Sequence, residues 1–199
     1  NVGDLKNGIN KPKEAFGKGH QFVNLMDVFG KSSVANSDFG LVETSAKERK
    51  EFSLRRGDIL FVRSSVKPSG VGLTSLIEED IPEAVYSGFL IRFRLTDSAL
   101  FPSFLKHYFL SDSFRALLLK KSTVSANTNI NQVALMSLPV IFPSAAEQSY
   151  ITSLLDALDA KSELLTQKQS HFQTLKRGLM QKLLTGEWRV SLDVSATGT

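Results

Sequence analysis

Five apolar residues, Ile151, Leu158, Leu165, Phe172 and Leu179, recur at strict intervals of seven, and Leu154 and Leu175 add a partial second row. After Val140-Ile141-Phe142-Pro143 the chain runs Ser144-Ala145-Ala146-Glu147-Gln148, and no Gly or Pro follows until Gly178 and Gly186. A repeat of seven keeps one apolar seam turned toward a single partner helix, the signature of a coiled coil. About 40 residues at 1.5 Å rise make a rod of roughly 60 Å. Globular helices are far shorter. The pattern therefore predicts a spacer or dimerisation device over residues 144–186, with Ile151, Leu154, Leu158, Leu165, Phe172 and Leu179 on its pairing face.

What precedes the rod must hold the core. A chain of 199 residues accommodates one substantial domain plus an extension. An apolar fraction of 42% with 14 Phe supports a real core and excludes a disordered chain. No apolar run approaches the length of a membrane span. The absence of cysteine excludes disulfides and thiolate metal sites and fits a reducing cytoplasm. The chain opens on Asn1 rather than Met, which suggests a trimmed fragment. Residues 144–199 hold six Lys/Arg and six Asp/Glu, whereas residues 1–143 hold 18 and 14, so the whole excess of +4 sits in the first part. A basic globular part beside a neutral rod points to a polyanionic partner for the former.

Residues 1–143 read as a β-rich domain with short helices. Gln21–Leu25 alternates as a strand. The turn Arg56-Gly57-Asp58 leads into Ile59–Val62, a run of β-formers suited to a buried strand. Ser64–Gly72 carries Pro68, Gly70 and Gly72 and reads as a loop. Gly88–Leu95 alternates, with Arg92 and Arg94 on one face. A helix is expected from Pro102 to Leu119, its end suited by Lys120 and Lys121. A polar stretch over Ser122–Gln132, a short helix near Val133–Met136 and a strand over Leu138–Phe142 complete the domain.

Enzyme signatures are absent from the sequence. His20, His107 and His171 have no metal-ligand spacing, and neither a phosphate-cradling Gly-Lys loop nor a nucleophile elbow occurs. Glu14-Ala15-Phe16-Gly17-Lys18-Gly19 faintly resembles a methyltransferase glycine loop. It lacks a preceding strand and fits a surface loop with a tight glycine turn better. No catalytic residue, metal ligand or cofactor is assigned.

Two stretches suit nucleic acid. Arg63-Ser64-Ser65-Val66-Lys67-Pro68-Ser69 offers two cations and three hydroxyls, and Arg can fork onto guanine. Ser125–Gln132 is dense in amides and hydroxyls, and Asn or Gln can bond adenine bidentately. From these come the expected DNA contacts Arg63, Ser64, Lys67, Ser69, Ser125, Asn127 and Asn129, with Lys11, Lys13 and Lys18 as holders of phosphate. Residue type alone favours ordinary solvated loops, with Asn and Ser serving turns. The mixed run Lys47–Glu51 reads as a solvated face.

Taken in order, these segments resemble one half of the specificity (S) subunit of a type I restriction-modification system. The resemblance is carried by Asn7-Gly8-Ile9-Asn10-Lys11-Pro12, by Phe22–Val28, and by Arg55-Arg56-Gly57-Asp58-Ile59-Leu60-Phe61. Further on, Asn129-Ile130-Asn131-Gln132 with Leu135, Leu138-Pro139-Val140, Phe142-Pro143, Glu147-Gln148 and Leu183–Val190 continue it. It departs in having Ser144-Ala145-Ala146 where the family usually continues Pro-Leu, and in carrying one recognition domain and one spacer helix instead of two of each. It is thus either a natural half-subunit or an excised half.

The resemblance implies an α+β fold: a mixed α/β target recognition domain with a small twisted sheet over residues 1–143, a spacer helix over 144–186, and a tail over 187–199. It further implies a non-catalytic reader of double-stranded DNA that docks methyltransferase (M) subunits and, through them, restriction (R) subunits. S-adenosylmethionine is expected only in the M partner. Two copies would pair their rods antiparallel as a homodimer, matching an inverted-repeat target. A coiled-coil adaptor without DNA binding, the specificity module of a fused restriction-methyltransferase, and a stand-alone methyltransferase are the competing classes.

Overall fold

Ile59–Val62 explains the architecture, because all four side chains of this short strand are buried. Successive residues of a strand point to opposite faces, so a continuous apolar run requires cover on both sides. Ile59 and Phe61 enter one core cluster and Leu60 and Val62 another. The strand is β5 of the molecule, whose computed structural model describes residues 2–35 and 37–190. The part of the expected 187–199 tail beyond residue 190 lies outside them.

In chain order the elements are β1 (Gly3–Asn7), β2 (Phe16–Val23), α1 (Leu25–Val28), β3 (Ser33–Val34), β4 (Gly40–Val42), α2 (Ala46–Glu51), β5 (Ile59–Val62), β6 (Ser64–Ser65), β7 (Thr74–Ile77), β8 (Val85–Tyr86) and β9 (Leu90–Leu95). There follow α3 (Pro102–Leu110), α4 (Asp112–Lys121), β10 (Thr123–Val124), β11 (Thr128–Asn129), α5 (Gln132–Met136) and α6 (Ala145–Leu184). Among the described residues three sheets result: a five-stranded one ordered β1-β9-β5-β7-β3, and two of three strands, β4-β2-β8 and β10-β11-β6. The mixed α+β class expected from the sequence is the one observed. The chain divides into two compact units, residues 1–152 and 153–199.

Within the first unit, β5 lies antiparallel between β9 and β7, with Ile59 opposite Phe93 and Leu60 opposite Arg92. The cluster holding Ile59 and Phe61 is closed by α3, α4 and α5 through Phe104, Leu105, Phe109, Phe114, Leu118 and Leu135. Its centre is aromatic. Phe109 meets Phe61, Phe93 and Phe114 at ring separations of 5.0, 5.6 and 4.9 Å, the range in which edge-on and tilted pairs attract. The second cluster gathers Val23, Val28, Val34, Leu54, Ile77, Ile81 and Tyr86.

Arg92 and Arg94 do share a face of β9, but that face is not solvated. Arg92 is buried, its guanidinium 5.7 Å from the Tyr86 ring centre and donating to the Ser53 carbonyl. Arg94 forks onto buried Asp58 at 2.7 and 2.6 Å, and the same carboxylate accepts from the Arg55 N–H. Bidentate pairing is what permits a carboxylate to be buried there.

Four local expectations need correction. The helix expected over Pro102–Leu119 is two helices. Ser111 takes extended backbone angles, accepts from the Phe114 N–H and donates to the Tyr108 carbonyl, so it caps α4 and ends α3. Leu138–Phe142 forms no strand. Its polar contacts run instead to the Tyr108 hydroxyl, which donates to the Pro139 carbonyl and accepts from the Ile141 N–H. The loop expected around Gly17 and Gly19 is the first half of β2: both glycines have positive φ, and the register shifts between Phe16 and His20 in a bulge against β4. Finally, the polar run after α4 is a β-hairpin rather than irregular loop.

The long helix begins inside the first unit. Ser144 and Glu147 form a reciprocal cap, the Ser144 N–H donating to Glu147 Oε2 at 3.0 Å and the Glu147 N–H to Ser144 Oγ at 3.4 Å. The Ser144 hydroxyl, donating at 2.6 Å, and the Ser144 N–H together hold the Glu147 carboxyl below its ordinary pKa. Next to it, Gln148 is fully buried. Its Nε2 donates to the carbonyls of Ala99 (2.9 Å) and Pro143 (3.0 Å), and its Oε1 accepts from the Phe101 N–H (3.1 Å). Ile151 packs on the main core cluster. It therefore stands apart from the other residues assigned to the pairing seam.

In the second unit α6 continues to Leu184. Leu154, Leu158, Leu165, Phe172 and Leu179 are all exposed. The helix stops at Gly186, whose φ of +74° is a left-handed cap. Beyond it the Trp188 N–H returns to the Lys182 carbonyl at 3.0 Å, and the Lys182 ammonium sits 4.5 Å from the Trp188 ring centre. Among the described residues no helix is long and apolar enough to cross a membrane.

Candidate nucleic-acid interface

The two polar stretches singled out in the sequence, more than 50 residues apart, meet in one small sheet. β6 pairs antiparallel with β11, and β11 with β10. Ser64 lies opposite Asn129, which lies opposite Thr123; Ser65 lies opposite Thr128, which lies opposite Val124. The sheet is fixed to the body at Arg63. The Arg63 N–H donates to the Phe89 carbonyl at 2.8 Å, and the Arg63 carbonyl accepts from the Ile130 N–H at 3.0 Å. These are direct continuations of β5 and β9, so the core sets the position of the polar edge.

The tip of the β10–β11 hairpin is held by one acceptor. The Asn127 carbonyl receives the Ser125 N–H (3.0 Å), the Ser125 hydroxyl (3.3 Å) and the Asn129 Nδ2 (3.0 Å). Asn129 and Ser125 therefore brace the turn with their side chains. Asn127 contributes through its main chain and leaves its amide side chain exposed. This divides the expected readers by role: Asn127 is presented outward, whereas Asn129 has one amide hydrogen occupied within the turn.

Around β6 the chain supplies cations. Arg63 gives one guanidinium hydrogen to the Gly88 carbonyl at 3.2 Å and keeps others. Lys67 is exposed at the head of a single 3-10 turn, Pro68–Gly70. Ser69 is exposed, and its carbonyl is gripped by Arg115 Nη2 at 2.7 Å. Arg115 is half-buried, and the desolvation of its guanidinium lowers its pKa. The turn is also packed from below: a Cβ on Gly72 would fall 2.4 Å from Leu118 of α4, and one on Gly70 2.3 Å from Ser65 Oγ.

Lys11, Lys13 and Lys18 belong to a different place, the approach to β2 and its bulge. Lys11 is 2.6 Å from Glu48 Oε1. The Lys11 ammonium, with the Ser45 N–H and hydroxyl, lowers the Glu48 carboxyl to a pKa of about 2, so that cation is already balanced. Lys18 pairs with Glu43 at 3.0 Å, both side chains more than half exposed. Lys13 is exposed in the turn Lys13–Ala15.

Two groups of residues on the hairpin side were not expected from the sequence. Lys120 and Lys121, assigned there to the end of a helix, are exposed and feed directly into β10, one strand from Asn129 and two from Ser64. Their position immediately before a run of amides and hydroxyls was the available signal. Val66, just beyond β6, Val124, on β10, and Phe89, just before β9, are large apolar side chains left exposed.

The sequence pattern of the type I restriction modification DNA specificity domain matches residues 2–172, and the chain belongs to that family. The fold agrees. A chain from a study of complex assembly and conformational transition of the type I R-M system superposes with a TM-score of 0.67 at 19% identity, covering 96% of this chain and 44% of that one. The type I restriction-modification S subunit from M. genitalium gives 0.59 at 18%, covering 90% and 42%. The HsdS subunit from Thermoanaerobacter tengcongensis gives 0.57 at 21%, covering 91% and 42%. The chain thus spans less than half the length of the solved structures it matches. No curated protein sequence matches it.

Proposed function

We propose that this chain reads one half-site of a bipartite double-stranded DNA target for a type I restriction-modification system. The observation that carries the reading is the β10-β11-β6 sheet. It gathers Arg63, Ser64, Lys67, Asn127, Lys120 and Lys121 in and around one small sheet of a domain whose family is defined by DNA specificity. Among the described residues Lys67, Lys120 and Lys121 make no ion pair, unlike Lys11 and Lys18. They are the natural phosphate contacts, with Arg63 and Asn127 at the base edges. Methylation and cleavage, and S-adenosylmethionine with them, belong to M and R partners. The exposed row Leu154, Leu158, Leu165, Phe172 and Leu179 pairs with a second copy, giving the reader a twofold axis that matches an inverted-repeat site.

The test is the salt dependence of DNA binding by the full chain. Each phosphate neutralised contributes about −0.9 to the slope of log K against log salt. Alanine at Lys67, Lys120 and Lys121 together should therefore flatten the slope by roughly 3. Unchanged affinity and slope in the triple variant would remove this face as the interface. Binding that ignores salt in the parent chain would favour a coiled-coil adaptor instead.

A further inference from the structure

Arg115 stands on α4 and reaches out of the helix to the loop that follows β6. Its Nη2 donates to the Ser69 carbonyl at 2.7 Å. Three residues on, and so on the same face of the helix, Leu118 lies beneath that loop, 2.4 Å from where a Cβ on Gly72 would stand. The base of the loop is closed by the Gly72 N–H donating to the Val62 carbonyl and the Val62 N–H to the Leu73 carbonyl, both at 2.8 Å. Its tip, Lys67-Pro68-Ser69-Gly70, is braced from within by the Gly70 N–H on the Lys67 carbonyl at 2.9 Å and from outside by Arg115.

As a tie alone, this guanidinium is a costly choice. Arg115 is half-buried, and its Nη1 is enclosed with no hydrogen-bond partner among the described residues. No carboxylate among them pairs with it, whereas Arg94 has Asp58 at 2.6 Å. A buried donor without an acceptor and a partly buried cation without a counter-charge both cost free energy. A neutral donor would hold the carbonyl without the second cost. An anion arriving at the loop would supply the charge that Arg115 lacks. Ser69 is exposed beside it, two residues from Lys67, which is exposed and without an ion pair among the described residues. An anion held by the Ser69 hydroxyl would lie within about one Debye length of the guanidinium, roughly 10 Å at 0.1 M salt.

We infer that Arg115 is a positioning residue for the DNA-reading face: it fixes the Lys67–Ser69 turn where the turn meets a backbone phosphate, and that phosphate is the counter-charge its guanidinium lacks. Arg115 acts through the turn and makes no base contact. The inference rests on the DNA-reading proposal above and adds the residue that holds one of its phosphate contacts in place.

The experiment measures the salt dependence of DNA binding by the full chain and its variants. The DNA is a duplex enriched from a randomised pool, and the temperature is one at which circular dichroism shows each variant folded. In the parent, Lys67→Ala should flatten the slope of log K against log salt by about 0.9, the share of one phosphate. Arg115→Met alone should flatten it by about the same amount, and Lys67→Ala added to it should change the slope no further. Arg115→Lys, which can still donate to the Ser69 carbonyl, should restore the parent's slope. A bond that served only stability would lower the melting temperature and leave both the slope and the full Lys67→Ala effect in place. That result overturns the inference, as does an Arg115→Lys variant whose slope matches that of Arg115→Met. Arg115→Gln, neutral and of shorter reach, takes its place in the same comparison if Arg115→Met does not fold. The two readings fail separately. If alanine at Lys67, Lys120 and Lys121 flattens the parent's slope while Arg115→Met does not, the role of Arg115 alone is lost. If that triple variant leaves the slope unchanged, DNA reading by this face fails, and Arg115 falls with it.

Discussion

Gln148 offers the sharpest test of how the long helix is joined to the recognition domain. Its side chain makes three hydrogen bonds, to the Ala99 and Pro143 carbonyls and from the Phe101 N–H, and it is fully buried. Gln148→Leu keeps the volume and removes all three. An internal hydrogen bond contributes about 1 kcal/mol, and a buried donor left without an acceptor costs about 1–3 kcal/mol. Ala99 is exposed and water can satisfy its carbonyl, whereas Phe101 is half-buried at the head of α3. The loss should then be about 2 kcal/mol, which for a chain of this size lowers Tm by roughly 4–8 °C. Thermal and urea unfolding followed by far-UV circular dichroism would measure it, with an unchanged m-value showing that only stability moved. Gln148→Glu should be worse than the leucine variant, because a carboxylate would face two carbonyl oxygens. A leucine variant melting within a degree of the parent would show that these bonds do not hold the helix root. A glutamate variant as stable as leucine would refute the stated polarity of the site.

Two further expectations concern the helix and the domain surface. Leu158→Lys with Leu165→Lys should convert a dimer to a monomer in sedimentation at micromolar concentration, since both residues are exposed in the isolated chain; an unchanged dimer mass would refute the pairing row. For acid stability, Glu48 has a folded pKa of about 2 against an ordinary 4.5. Its contribution is therefore complete above about pH 5 and is lost as pH falls toward 2. The pair with Lys11 is partly solvated, so screening limits the effect to under about 1 kcal/mol. Glu48→Gln should flatten the parent's stability loss over that window in urea titrations, and identical slopes would discount the ion pair.

The parts of the fold that the sequence disclosed are those in which one periodicity dominates. The sevenfold row gives α6, and the four consecutive β-formers give β5, because burial on both faces leaves no alternation to obscure the strand. The seam's first member could not be told from the rest: Ile151 keeps the period, yet it packs on the globular core because Gln148 and Thr152 around it are buried. Ser111 sits in a helical apolar pattern and its capping role depends on a bond to Phe114, which periodicity does not encode. At the candidate interface the residue types were visible, but their assembly was not. Pairing of β6 with β11 is long-range, and two-residue strands carry no pattern of their own. The shared face of Arg92 and Arg94 was legible from alternation, but its cover was not, since their solvation is replaced by Ser53, Asp58 and the Tyr86 ring.

The two-faced burial of β5 bears on how the recognition domain comes apart. Ile59 and Phe61 serve one cluster and Leu60 and Val62 the other, so a single four-residue strand is the party wall of both. Neither half can melt while the other stays native, because opening either one exposes the wall they share. Residues 1–152 should accordingly exchange their most protected amides as a single cooperative foldon. The polar hairpin meets that wall at Arg63 and Ile130, and its outer strand β10 is exposed, so it should open at lower free energy than the domain that supports it.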